Sequence, residues 1–593
     1  MKSTKKKKRG GSNTWNLGLL YKSDDDSALE ADVLKDEQAC TTFRKKWHGK
    51  ISISTSDKQL LASIREYARL HERISYPKPQ FYLYLRLAVD SNNPSVQAKL
   101  NAISERYAKA TNEILFYEIE LGALGQKKVH ALAQHPSCKA FSHFFQRVAQ
   151  YSKYLLSEEA EKIISLKSLA SRQLWTQGVE KALAKLEVTH NGTTYPLAEA
   201  ESLVPELPTK DRHEMHAKIM EQVVTVSDFA ESEINALFFD KKIFDDLRGY
   251  TAPYQETILR YDNDEKAVLS LVETVTDAFS ISHDFYKVKK KLLGLSKLTY
   301  ADRSASVGTL RHTFTFERSC ALLRDLLFET KTEYGEIFNR MLADGQIDVF
   351  PRKGKGGGAF LASGTGVPSF VMLNHTSDFR SAQTLAHEMG HAIHSERSRI
   401  QHPLVESYST AAAETASTFI ESLFVERLLS ELSHDEQIIA LHDIIQSDVS
   451  TIFRQIAFFN YERAAHETVR LQGGIDAKTL ASLMNKHMKA YLGPSFTLTE
   501  LDGYFFVRLP HIRSFFYVYS YAYGQLISKA MRKQYLENSA YIEQVDHFLS
   551  AGGSDTPDNI FASIGLDTRK PTIFEAGLQE LRNNVTKLKK LMK

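Results

Sequence analysis

The sequence predicts a mainly α-helical protein with one small β patch, set directly before a helix that carries His-Glu-x-x-His. Three features predict it. From about residue 27 to residue 185 the apolar positions recur at helical spacing, as in the stripe Leu100, Ile103, Tyr107, Ala110, Ile114, Tyr117 and Leu121. Residues 346–376 change character, to short alternating runs among glycines. Leu385 to His394 then contains good helix formers and no Pro.

The first stretch, 15–200, reads as a helical region. Ser91-Asn92-Asn93-Pro94, His135-Pro136 and Asn191-Gly192 break it, and Pro205 and Pro208 mark its end. Residues 201–593 form the second region, helical again from Asp211. Within it, Gln346 to Pro351 alternates as a short strand. Lys353 to Gly358 is a glycine-rich loop, and Ala359-Phe360-Leu361 and Ser369 to Leu373 read as further strands. No Gly-Lys-Ser/Thr follows the glycines, so the loop is not a phosphate cradle. Gly357 and Gly358 are expected to flank a substrate groove. Ser369, Phe370 and Val371 are expected to form an edge strand that holds an extended peptide by main-chain hydrogen bonds.

Composition excludes several classes. At 593 residues, 42% hydrophobic and 25% charged, the chain has the make-up of a globular protein with large cores. A net charge of +3 gives no global field for nucleic acid. The basic run Lys5 to Arg9 falls in residues 1–14, which read as a disordered tail; an RNA contact is the weaker reading. No apolar window of about 18 residues predicts a membrane span. Three widely spaced cysteines imply no disulfide framework, so a reducing, cytoplasmic compartment is expected.

The chemistry concentrates at His387 and His391. At i and i+4 on a helix their rings share one face, one turn apart, and can bind one Zn²⁺ through nitrogen. Glu388 beside the first ring is placed to act as a general base toward water. A +10 histidine is absent, since residue 397 is arginine. The third ligand is expected from the next helical run, where Glu414 sits among small residues that allow close helix approach. Glu406 is the less favoured choice, and Glu421, two turns past Glu414, is expected to orient a ligand histidine. One zinc per chain follows. Tyr517, Tyr519, Tyr521 and Tyr523 crowd the segment after Pro510-His511, with Tyr517 and Tyr521 expected on one helix face and Tyr519 and Tyr523 on another. Phenols that stay protonated suit stabilisation of an oxyanion.

These pieces together resemble the oligoendopeptidase F branch of the thimet oligopeptidase family of zinc metallopeptidases. The resemblance rests on Trp15-Asn16-Leu17, Arg248 to Pro253, Leu292 to Leu298, Gly356 to Phe360, Leu385 to His391, Ala413 to Ser417, Pro510-His511 with Phe516 to Tyr519, and Gly552-Gly553-Ser554. It implies an elongated helical zincin with two lobes around a deep channel, cleaving internal bonds of short unstructured peptides. It implies His387, His391 and Glu414 as zinc ligands and Glu388 as base, with His511 and Tyr517 contacting substrate and the tetrahedral intermediate. Tyr519 and Tyr521 remain alternatives to Tyr517. A monomer or homodimer is expected. Two other readings stay open. A zinc carboxypeptidase or dipeptidase would need a grip on a free terminus, for which Arg508 and Arg513 are the candidates. A non-catalytic peptide-binding scaffold is disfavoured by the intact His387, Glu388, His391 and Glu414 set.

Overall fold

The computed structural model describes residues 13–593; the basic run Lys5 to Arg9 lies outside them. The chain is 71% helical, which bears out a mainly α fold. It divides into two compact units. One comprises the N-terminal part to Lys153, His312–Glu431 and Met531–Gly565; the other comprises Tyr154–Arg311, Leu432–Ala530 and Leu566–Lys593.

In the first unit the predicted stripe is not one helix. It runs through Pro94–Asn112, breaks at residues 113–115, and resumes in Phe116–Ala123. Asn93 caps the first of these, its side chain accepting from Val96 N, with Pro94 at the first helical position, where a missing N–H costs nothing. Ile103, Tyr107, Ala110, Ile114, Tyr117 and Leu121 are all buried, so the periodicity reported the core correctly across the break.

Two short strands of the second unit, β1 (Glu187–His190) and β2 (Thr193–Pro196), form a hairpin turning at Asn191-Gly192. The sheet that matters for the site is in the first unit. It contains β3 (Ile347–Asp348), β4 (Phe360–Gly364) and β5 (Val367–Met372), in the order β3-β5-β4. β5 pairs antiparallel with β4 and parallel with β3. The predicted edge strand is therefore corrected. Ser369, Phe370 and Val371 lie in the central strand and are fully buried. The edge is β4. The sequence hid this because β3 is only two residues long, yet it closes the second side of β5: Val371 N donates to Gln346 O at 2.9 Å and Leu373 N to Asp348 O at 2.8 Å.

One sheet face joins a core containing Tyr82, Leu83, Ala362, Val367 and Phe370. Trp15 closes onto it, its indole N–H donating to Val371 O at 2.8 Å. The glycine loop is tethered rather than loose. Gly356 N donates to Ala88 O at 2.8 Å, and Asn374 Nδ2 donates to Gly356 O and Gly358 O at 2.9 and 2.8 Å. Gly357 and Gly358 remain exposed, with open space where a Cβ would stand.

Candidate active site

His387, Glu388 and His391 lie on the helix Phe379–Ser398, capped by Asp378, whose Oδ1 accepts from Ser381 N at 2.7 Å. Glu414 and Glu421 lie on the helix Thr410–Ser430, capped by Ser409. The two helices touch at backbone distance. A Cβ on Gly390 would stand 2.6 Å from Ser417 Cα and 2.9 Å from Ala416 O. Only glycine fits there, and the small residues around Glu414 allow the approach as the sequence suggested.

That approach brings three donor atoms together. Glu414 Oε2 stands 3.5 Å from His387 Nε2 and 3.6 Å from His391 Nε2. Two ligands bound at about 2.1 Å in a tetrahedral shell would lie about 3.4 Å apart, so the spacing and the N,N,O donor set fit a zinc ion. Glu421 Oε2 lies 2.7 Å from His387 Nδ1 and fixes which nitrogen of that ring is free to face Glu414. Without a cation, burial lowers the pKa of both rings. At His387 the Glu421 and Glu414 carboxylates outweigh burial and push it up to about 9. At His391 burial wins, aided by His387, and holds it down at about 4. Glu388 is buried, and desolvation pushes its carboxyl up to about 7. The Leu361 N–H donates to it, while its Oε2 has no protein partner.

His394 does not join them. It is buried face to face with Tyr408, ring centroids 3.6 Å apart. Glu406 accepts a hydrogen bond from the Thr365 side chain instead.

The tyrosine segment, in the second unit, sorts itself by burial. Helix Tyr519–Glu537 starts after Tyr517, so Tyr517 sits in the preceding turn rather than on a shared helix face. Its ring still lies 5.8 Å from that of Tyr521, and its hydroxyl hydrogen-bonds His511 Nδ1. Burial pushes the Tyr517 phenol upward. Tyr519 is corrected as a candidate: it is fully buried, and its hydroxyl donates to Asn263 Oδ1 at 2.9 Å. The turn before Tyr517 is strained, with Phe515 at φ 51° and Phe516 at φ 56°. Buried Glu462 holds it, both carboxylate oxygens accepting from Phe516 N at 3.0 Å.

The model of peptidase family M3 matches residues 240–580, more than half the chain. The chain belongs to peptidase family M3. A model named oligopeptidase F matches residues 120–187 of this M3 peptidase. It is 25% identical over 607 residues to the group B oligopeptidase PepB of Streptococcus agalactiae, covering 97% of each chain. It is also 25% identical over 594 residues to an oligoendopeptidase F homolog of Borreliella burgdorferi, covering 97% of this chain and 98% of that one. Its fold matches that of a Chlamydophila abortus peptidase with a TM-score of 0.87, at 21% identity and 98% coverage of both. It matches oligoendopeptidase F of Enterococcus faecium with a TM-score of 0.70, at 19% identity and 96% and 99% coverage. The M3 peptidase is a metallo-oligopeptidase. Among the described residues, no helix is long and apolar enough to cross a membrane.

Two contributors escaped the sequence reading of this M3 peptidase. Gln383 donates to Glu421 Oε1 at 2.5 Å, bracing the carboxylate that holds His387. Its signal was its place four residues before His387. The Leu361 backbone N–H had no signal, since any residue supplies one. Arg508 is engaged with Glu201, and Arg513 holds Glu233 by two hydrogen bonds of 2.7 and 2.6 Å. Neither guanidinium is left to grip a free peptide terminus.

Proposed function

We propose that this M3 peptidase is a zinc endopeptidase of short, unstructured peptides, holding one zinc ion per chain through His387, His391 and Glu414. The observation that carries the reading is the convergence of those three donor atoms, all within 4.8 Å of one another, beside buried Glu388. Zinc held there supplies Lewis-acid polarisation of the scissile carbonyl and makes water acidic enough to react near neutral pH.

The chain's own residues do the rest. Glu421 keeps the His387 ring in the tautomer that presents Nε2 to the site. Glu388, desolvated and with Oε2 unpartnered, takes a proton from water and passes it to the leaving amine nitrogen. β4 is the edge strand, and its outer main-chain groups other than the Leu361 N–H, which Glu388 holds, are offered to an extended peptide, so affinity comes largely from the main chain. Tyr517, backed by His511, and Tyr521 are the phenol donors assigned to the oxyanion; the chemistry of phenols and the family match support that assignment. The engagement of Arg508 and Arg513 favours endopeptidase over terminus-gripping activity. Three free, buried cysteines, Cys40, Cys138 and Cys320, fit a reducing compartment, and the cytoplasm is the proposed location.

The test is a peptide blocked at both ends with an internal quenched fluorophore. Wild-type protein with zinc should cleave it, and Glu388→Gln should bind one equivalent of zinc while losing about 10²–10⁴-fold in kcat. Native turnover by that variant, or full activity after exhaustive chelation, would end the reading. Cleavage only of peptides with a free terminus would favour the exopeptidase alternative.

A further inference from the structure

β4 does more than offer a bare edge. Successive side chains of a strand point to opposite faces. Leu361 is paired with Val371, so it shares a face with Ser369, whose hydroxyl donates to Glu396 of the motif helix at 2.7 Å. Phe360 and Ala362 point the other way, into the core with Phe81, Leu100 and Phe370. A cavity of about 420 Å³ runs along that second face and reaches around β4 to Leu361 and Ser363 of the first. Tyr76, Phe81, Tyr84, Leu100, Leu361 and Ala362 line it.

Aromatic and aliphatic side chains make most of the wall, with Ser75 and Ser363 at its margin, and the Ser75 hydroxyl donates to His71 O at 2.6 Å. Gln80 and Ser104 also line it, but they satisfy each other, Nε2 donating to Oγ at 3.0 Å. Tyr76 and Tyr84 stand 41% and 48% exposed, so aromatic surface is left uncovered at the wall. The Tyr76 ring is held in place by Gly364, the last residue of β4: a Cβ there would lie 2.4 Å from Tyr76 Cγ. The cavity and the base share one residue, since Leu361 both lines the cavity and donates its N–H to Glu388.

We propose that this cavity is a specificity pocket, which takes an aromatic or large aliphatic side chain of the peptide bound along β4. The inference rests on the reading that substrate pairs with β4 beside Glu388. A peptide added at that edge continues the pleat, so alternate side chains point to the side on which Phe81, Tyr84 and Leu100 stand. One strand step advances about 3.3 Å, which puts the receiving position within about two residues of the bond cleaved. Main-chain pairing then supplies affinity for any sequence, and the pocket supplies choice among bonds.

The experiment uses full-length zinc-loaded protein and quenched peptides blocked at both ends, with Phe, Leu, Ala, Lys and Glu placed in turn at each position near the cleaved bond. At one position Phe and Leu should exceed Ala in kcat/KM by about tenfold or more. Leu100→Arg should collapse that Phe-to-Ala ratio and raise the Glu-to-Phe ratio. Tyr84→Ala, at a more exposed wall, should lower the Phe-to-Ala ratio at the same position only. Cleavage with no preference at any position, or a preference that both variants retain, would overturn the pocket while leaving the endopeptidase reading intact. No cleavage of any peptide would overturn both.

Discussion

His387 Nδ1 and Glu421 Oε2 lie 2.7 Å apart, joining a ring on one helix to a carboxylate two turns past Glu414 on the next. That bond commits Nδ1 as donor and leaves Nε2 free to coordinate. Replacing Glu421 by Gln keeps the shape and removes the charge that makes the ring a better ligand. Zinc affinity should fall about 10–100-fold, read by competition with a chelating dye. Unchanged affinity would show that the ring is oriented by other contacts.

Gly390 is the hinge of the geometry because a neighbouring backbone occupies the space of its Cβ. Gly390→Ala forces the two helices apart or strains them, at a cost of about 1–3 kcal/mol. A lowered Tm should accompany weaker zinc binding, since Glu414 moves with its helix. Ala is otherwise the better helix former, so a raised Tm would mean that the contact is not tight.

Tyr517 and Tyr519 should separate cleanly. Tyr517→Phe removes the hydroxyl of a partly exposed residue, and kcat should fall about 10²–10³-fold with a smaller effect on Tm than Tyr519→Phe. Tyr519→Phe removes a buried bond and leaves Asn263 with one partner fewer, so stability should fall by about 1–3 kcal/mol with kcat near the native value. Kinetics and melting curves on both variants decide it.

Lys289 is fully buried, its ammonium donating to Ala305 O at 2.6 Å and to Gln446. Burial, partly offset by Asp443, holds it down at about 7. Between that value and the usual lysine range, the unfolded chain carries a proton that the folded chain lacks. Stability from this group therefore rises with pH, by about 2 kcal/mol from pH 7 to pH 9. Lys289→Met should remove that slope in urea melts at the two pH values. An identical slope in both proteins would assign the dependence to other groups.

Legibility differed from element to element for physical reasons. The helix carrying His387 and His391 was readable because i, i+4 spacing is a local property of the chain. The close approach of the helix carrying Glu414 was readable because small neighbours announce such a contact. The edge strand was not, because edge or centre depends on what pairs across the sheet, and a two-residue β3 leaves almost no periodic signal. Tyr517 and Tyr519 look alike in sequence. Which is buried depends on a turn at Phe515-Phe516 held from another helix by Glu462.

By itself, then, the sequence determined the helical class, the metal-capable residue types and their spacing, since these follow from local periodicity and from what each side chain can donate. Only the tertiary structure decided that β4 is the edge of its sheet, that Gly390 meets Ser417, and that Tyr519 belongs to the core. Those outcomes depend on contacts between segments far apart along the chain, which no local pattern encodes.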